Sequence, residues 1–165
     1  MEPIESIEPT SSKETPEIKH LLPLQQEWVW KSDLSAVNAY EAQFVALLKN
    51  TENSWLDEDA VDLCSLGFRE ALANAIKYGN ASDPLRRVRV EITMDDHAFS
   101  VSLADENPVR FNADTAFDSV KDEAEKLAFH GRGLTIMRTA YPAGVSFEFM
   151  DPGNKVTMCI QRESK

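Results

Sequence analysis

Two neighbouring segments, Arg87–Met94 and Phe99–Ala104, alternate between apolar and polar residues and are joined by a short polar turn. Such alternation is typical of strands that bury one face, and two of them around a short turn predict a β-hairpin. A second pair with a Pro-Gly turn, Val145–Phe149 and Val156–Ile160, repeats the pattern near the end of the chain. The sequence therefore predicts a sheet built from two hairpins.

Helical patterns fill much of the sequence between these strands. Apolar residues recur at a spacing of three and four, and the longest such stretch has acidic residues in its first turn and a glycine after its last. The predicted helices cover residues 33–50, 57–78 and 134–140, and a strand precedes them at 26–31. This order predicts an α+β fold in which helices cover one face of a sheet, a two-layer α/β sandwich.

The composition indicates one folded domain with a polar arm. A chain of 165 residues with 42% hydrophobic residues is long enough for a single core. Residues 1–20 hold little to bury, so burial cannot offset the entropy lost on ordering them. We predict a flexible acidic arm at 1–20 and the folded domain at 21–165.

The charge balance disfavours some classes of partner. The 17 Lys and Arg residues face 28 Asp and Glu residues, which gives a net charge of −11. Such a chain repels a phosphate backbone, so we expect no direct nucleic-acid binding and no binding to an anionic membrane. Cys64 and Cys159 form no metal-binding cluster. No apolar run is long enough to span a bilayer, and we expect a cytoplasmic protein.

Glu70, Asn74 and Lys77 share one face of the second predicted helix, because successive residues turn by about 100°. The main apolar stripe of this helix lies elsewhere, so these side chains can simply point into water. Leu63 and Leu66 lie near the same face as Glu70, however, which favours a covered cleft. In a cleft, a carboxylate can take a proton and a carboxamide oxygen can ligate Mg²⁺.

Two further sites carry residues suited to a nucleotide. Asp105 follows a strand, where it either begins a turn or accepts a hydrogen bond from an exocyclic amine such as that of adenine. Gly131 and Gly133 lie where the third helix begins; they form either a hinge or a phosphate-binding turn. Arg132 adds positive charge there, and His130 is either a loop residue or a phosphate contact.

The order of these signals resembles the GHKL ATPase family, which includes histidine-kinase catalytic domains, gyrase-type ATPases and anti-sigma factor serine kinases. The segment 67–80 resembles the N-box of the small anti-sigma kinases, and the resemblance covers roughly residues 24–162. It implies the Bergerat, or histidine-kinase-like ATPase, fold with a mixed, mostly antiparallel sheet. It also implies ATP and Mg²⁺ as cofactors.

The resemblance assigns a role to each site residue. Glu70 matches the general base that activates the acceptor hydroxyl, Asn74 the Mg²⁺ ligand, and Lys77 a residue within reach of phosphate. Asp105 matches the carboxylate that binds the adenine amino group. The polar stretch 106–130 matches the ATP lid. Four residues match the phosphate-facing end of that lid or lie beside it: His130, Gly131, Arg132 and Gly133.

The turn after Asp105 departs from the family pattern. Members usually continue as D-x-G-x-G, whereas this chain continues Glu106-Asn107-Pro108-Val109. Asparagine tolerates positive φ better than most residues, so Asn107 is predicted to replace the first glycine in the nucleotide site. Pro108 stiffens the turn and removes one N–H. Two alternatives stay open: a working ATP site, or a non-catalytic partner-binding module with weakened or lost ATP binding.

The resemblance also implies a biological role. Anti-sigma kinases bind a bacterial sigma factor and use Mg-ATP to phosphorylate a STAS-domain anti-anti-sigma protein on Ser or Thr, which is partner-switching regulation of transcription. Members of this group often form homodimers, and we keep a homodimer as an expectation. A third alternative, the catalytic fragment of a sensor histidine kinase, is disfavoured by the short third helix.

Overall fold

The computed structural model describes residues 19–110 and 132–164. Its strands and α-helices follow one another in the predicted order, which confirms the α+β fold class. The elements are β1 Leu24–Lys31, α1 Val37–Lys49, α2 Glu58–Asn74, β2 Arg87–Met94, β3 Ala98–Ala104, α3 Arg132–Ala140, β4 Gly144–Phe149 and β5 Asn154–Gln161. A short 3-10 helix, Leu34–Ala36, leads into α1.

The five strands form one sheet in the order β1-β2-β3-β5-β4. Every pairing among these described strands is antiparallel, with Val90 opposite Leu103 and Leu103 opposite Val156 across the centre. A separate parallel bridge joins His20 to Thr51, outside the sheet. Two residues of the predicted arm, Lys19 and His20, thus lie against the domain, and residues 1–18 lie outside the described ranges.

The core lies between one face of the sheet and the helices. Along β2, alternate residues from Val88 to Met94 are buried, as the sequence pattern predicted. Stacked aromatic rings join the helices to each other and to the sheet: Phe44 of α1 lies 4.1 Å from Phe68 of α2, measured between ring centroids. Trp30 of β1 lies 4.3 Å from Tyr40 by the same measure. Burial of each such side chain contributes roughly 1.5–3 kcal/mol, so this shared core fixes α2 over the sheet.

Helix α2 begins as predicted but ends differently. The Asp57 side chain accepts a hydrogen bond from the backbone N–H of Ala60 at 2.8 Å and caps the first turn. The α-helical winding stops at Asn74, and the predicted last turn is instead a π turn, Ala75–Gly79. The N–H of Asn80 closes this turn by donating to the carbonyl of Ala75 at 2.7 Å. Wider turns of this kind are frequent at functional sites.

Helix α3 packs closely against α2. A Cβ atom added at Gly67 would lie 2.8 Å from Tyr141 Cε2 and 2.9 Å from Ala140 Cβ, so only glycine allows this approach. The buried Tyr141 hydroxyl donates to the carbonyl of Cys64 at 2.8 Å. Burial also raises the pKa of the Cys64 thiol to about 12. The contact fixes α3 beside the C-terminal half of α2.

Changing Gly67 to Ala tests this contact. Alanine normally stabilises a helix interior by about 0.8–1.0 kcal/mol relative to glycine. Here we expect Gly67→Ala to lower the free energy of unfolding by about 1–3 kcal/mol, because the new methyl group overpacks the contact with Tyr141. Urea denaturation followed by circular dichroism measures the change. A variant more stable than the parent chain would contradict the packing described.

Two other features bear on the predictions. The sequence also predicts a short helix around residues 118–127, and that segment lies outside the described ranges. Within those ranges, no helix combines the length and the apolar character that crossing a membrane requires.

Candidate functional site

Glu70 and Asn74 lie together where α2 meets the start of α3. A Cβ atom added at Gly133 would be 3.2 Å from Glu70 Oε2 and 3.6 Å from Asn74 Nδ2. Both polar side chains are half-buried, and Gly133 is buried. The structure thus brings three predicted site residues together, and Glu70 does not simply face water. We refer to the region that these three residues border as the Glu70 cleft.

The other predicted phosphate contacts border this cleft or lie outside the described ranges. Lys77 is exposed on the π turn, one turn beyond Asn74. Arg132 is exposed as the first residue of α3, and Gly133 lies inside that helix, where the sequence placed it just before the helix. His130 and Gly131 lie outside the described ranges, so their predicted roles stay predictions.

Asp105 lies at the end of β3, and its two carboxylate oxygens differ. Oδ1 accepts hydrogen bonds from the N–H groups of Asn107 at 2.9 Å and Asn154 at 3.0 Å. Oδ2 faces Gly79, where any added Cβ would collide with the carboxylate. Among the described residues, none donates a hydrogen bond to Oδ2. The half-buried side chain is therefore held through one oxygen and has acceptor capacity left on the other.

Asn107 shapes the turn after Asp105 in a different way from the one predicted. No residue from Asp105 to Val109 has positive φ. Instead, Asn107 Oδ1 accepts from the N–H of Val109 at 2.9 Å, and the Asn107 carbonyl accepts from the N–H of Gly153 at 2.9 Å. Asparagine side chains commonly replace a backbone bond in this way. The turn is thus built from side-chain hydrogen bonds, and the expectation of left-handed backbone at Asn107 is wrong.

Four residues around Asp105 were not among the predicted site residues: Gly79, Asn80, Gly153 and Asn154. Gly153, with φ of +101°, allows the β4–β5 turn to touch the Asp105 backbone, where a Cβ atom would collide with the carbonyl. From the sequence alone, these residues indicate only the end of a helix and a hairpin turn. Their closeness to Asp105 depends on strand pairing across the sheet, which local patterns do not encode.

The side chains of the cleft are of the types that bind Mg²⁺ and a nucleotide. Mg²⁺ in phosphate-transfer sites keeps several waters and takes one or two protein oxygens together with phosphate oxygens. The single carboxamide of Asn74 beside the helix start fits that requirement. No group of three or more His, Cys, Asp or Glu side chains within 19–110 and 132–164 forms a metal site of another kind.

A separate groove of about 320 Å³ lies on the sheet face away from the helices. Of the three cationic residues that line it, Arg87, Arg89 and Lys155, two have carboxylate partners: Arg89 Nη1 lies 2.6 Å from Glu27 Oε1, and Lys155 Nζ lies 3.6 Å from Glu91 Oε2. Asp105 and Glu106 also line this groove, although Asp105 Oδ2 faces Gly79, whereas Glu70, Asn74 and Gly133 do not line it. The groove therefore does not belong to the Glu70 cleft.

Comparison with known proteins shows the family to which the chain belongs. Residues 32–160 match the family described as "Histidine kinase-like ATPase domain", and the chain belongs to that family. No curated protein matches the sequence.

The fold is similar to the crystal structure of the RsbU and RsbW domains of Rv1364c from Mycobacterium tuberculosis, with a TM-score of 0.53 and 12% sequence identity. The match covers 86% of this chain and 34% of that one, so this chain spans about a third of its length. At this identity the likeness shows the fold alone.

Proposed function

We propose that this chain is an ATP-dependent protein serine/threonine kinase of the anti-sigma type. The observation that supports this most strongly is the approach of Glu70 and Asn74 to Gly133 at the start of α3. A general base, a magnesium ligand and a helix start suited to phosphate then share one cleft. Membership of the histidine kinase-like ATPase family supports ATP as the phosphate donor.

Each residue of the cleft has a defined task in this proposal. Glu70 Oε2 takes the proton of a Ser or Thr hydroxyl as the hydroxyl oxygen bonds to the γ-phosphorus and the bond to the bridging oxygen of ADP breaks. Asn74 holds Mg²⁺, which, when bound, neutralises charge on the phosphates. Lys77 and Arg132, both exposed beside the cleft, add positive charge. Asp105 Oδ2 accepts from the adenine amino group.

The proposed partners follow from the same assignment. The neighbouring structure carries an RsbW domain beside an RsbU domain in one protein. For this chain we propose a sigma factor as the protein it withholds and a STAS-domain protein as the one it phosphorylates, in the cytoplasm of a bacterium. The net charge of −11 would steer association with a basic partner surface.

Phosphoryl transfer to STAS-domain proteins tests the proposal. The purified chain is incubated with Mg-ATP labelled at the γ-phosphate and with each candidate STAS-domain protein, beside a form of that protein whose acceptor Ser or Thr is alanine. We expect label on the intact partner and none on the alanine form. If the chain binds both ATP and the intact STAS-domain protein but labels neither form of that protein, the result would contradict kinase activity.

The turn after Asp105 favours a second candidate, a partner-binding module without catalysis. Pro108 offers no N–H, and the turn is closed on itself by Asn107 and Asn154. If this closed turn excludes adenine, the chain would bind a sigma factor or a STAS-domain protein through its helices alone. Partner binding with equal affinity in the presence and absence of Mg-ATP would favour this candidate.

A homodimer is compatible with both candidates, and light scattering measures the oligomeric state.

Gly133→Ala is a local test of the cleft. Its new Cβ would lie 3.2 Å from Glu70 Oε2, so the carboxylate or the start of α3 must move by a few tenths of an ångström. Because misplacement of this kind weakens catalysis, we expect phosphoryl transfer to fall by about tenfold with little loss of stability. Thr139→Ala, on the exposed side of the same helix, is the control and should keep the parent rate. Parent activity in Gly133→Ala would contradict the close approach.

A further inference from the structure

Asn80 is a fully buried asparagine at the point where α2, β2 and the turn after β3 meet. Its Oδ1 accepts from the N–H of Glu106 at 2.9 Å, and its Nδ2 donates to the carbonyl of Arg87 at 2.9 Å. Its backbone N–H closes the π turn on Ala75. One side chain therefore holds the end of the helix to two separate strand ends.

The bond to Glu106 lies directly beside Asp105. Asp105 Oδ2 faces Gly79, the residue before Asn80, and the N–H of Glu106 is the next backbone donor after Asp105. Asn80 thus fixes the distance between the helix end and the carboxylate on the side where Oδ2 lies. The bonds to Oδ1 hold Asp105 from the opposite side, towards Asn154.

Burial makes this connection rigid. A buried amide that loses its partners leaves unpaired polar groups, which costs about 1–3 kcal/mol, so the Asn80 bonds are strongly favoured in the folded chain. Both bonds end on backbone groups of the strands that flank the site, and one of them, the N–H of Glu106, directly follows Asp105. The amide is placed where it orients the carboxylate.

We propose that Asn80 is a positioning residue that orients Asp105 to select a 6-aminopurine over a 6-oxopurine nucleotide. This inference rests on the proposed nucleotide site. A carboxylate held at a fixed angle accepts from an amino group and repels a carbonyl oxygen at the same place on the ring. A carboxylate free to turn away discriminates less, so its orientation decides the ratio of the two affinities.

The ratio of ATP affinity to ITP affinity is the test, because ITP carries a carbonyl where ATP carries the amino group. Both dissociation constants are measured by calorimetry for the parent chain and for Asn80→Ala. We expect the preference for ATP to fall by about tenfold in Asn80→Ala, equivalent to ~1.4 kcal/mol. If Asn80 contributed only to stability, the affinities for ATP and ITP would both fall by the same factor, and their ratio would stay unchanged.

Thr51→Val is the matched control. Thr51 is buried at the far end of α1, and its hydroxyl donates to the carbonyl of Leu47 at 2.7 Å. Valine keeps the shape and removes that one hydrogen bond, so we expect lower stability with the parent ratio. An altered ratio in Thr51→Val would mean that the ratio reports stability, which would overturn the inference.

A second pair of variants covers the case in which Asn80→Ala does not fold. Glu106 is exposed. Glu106→Pro removes the backbone N–H that donates to Asn80 Oδ1, whereas Glu106→Ala keeps this N–H and removes only the carboxylate. We expect the ratio to fall in the proline variant relative to the alanine variant. Equal ratios of ATP affinity to ITP affinity in the two variants would overturn the proposed role of Asn80, but the proposed nucleotide site would still stand. A parent chain that binds neither nucleotide would overturn both the site and this inference.

Discussion

Glu70→Gln is expected to lower phosphoryl transfer to the partner by about 10²–10⁴-fold, the usual contribution of a general base. Glutamine keeps the size and hydrogen-bonding reach of the side chain but cannot take the proton of the acceptor hydroxyl. Since Glu70 contacts the helix start rather than the adenine side of the cleft, affinity for Mg-ATP should stay close to that of the parent chain. Single-turnover transfer and calorimetry measure the two effects separately.

Glu58→Gln is the control for this change. Glu58 lies on the same helix, exposed in its first turn and three turns before Glu70. The same substitution there should leave the transfer rate unchanged. A Glu70→Gln variant that transfers phosphate at the parent rate would remove Glu70 from the role of base and leave the cleft without one.

Asp105→Asn is expected to weaken ATP binding by about 10- to 100-fold, as befits loss of a hydrogen bond to a charged acceptor. Asparagine can still accept the N–H groups of Asn107 and Asn154 through its remaining oxygen, so the turn should keep its shape. The second oxygen becomes an NH₂ group, which faces the adenine amino group donor to donor. Displacement of a fluorescent ATP analogue measures the affinity.

The chain offers a closely matched control at Asp95. This aspartate also accepts two backbone N–H groups through Oδ1, those of His97 at 2.7 Å and Ala98 at 2.8 Å, but it lies in the β2–β3 turn at the other end of the hairpin. Asp95→Asn should therefore bind ATP like the parent chain. Equal affinities for ATP in Asp95→Asn and Asp105→Asn would show that Asp105 does not contact the base.

The part of the site carried by one helix was predictable from sequence. Glu70 and Asn74 are one turn apart, and that spacing alone places them on one face of α2. The start of α2 was equally predictable, because the Asp57 cap depends only on residues within one turn. The strand pattern also fixed which residues of β2 face the core, since its alternation has a period of two.

The surroundings of Asp105 were not predictable in this way. Its neighbours come from the end of α2 and from the β4–β5 turn, and only the completed sheet places Gly79 and Gly153 against one carboxylate. Asn107 was predicted to supply unusual backbone geometry, but its side chain closes the turn instead. The bond from Asn107 Oδ1 to Val109 is local, but the bonds that hold the turn against the rest of the domain come from Gly153 and Asn154, 45 or more residues away.

Calorimetric titration of the purified chain with Mg-ATP measures whether the site beside Asp105 binds the nucleotide. We predict saturable binding with one site per chain, which the Asp105→Asn variant loses or weakens strongly while Asp95→Asn retains it. Such binding would mean that a turn closed by side-chain hydrogen bonds still admits adenine beside Asp105. No saturable binding at millimolar nucleotide would mean that the closed turn excludes adenine, and it would favour the partner-binding module.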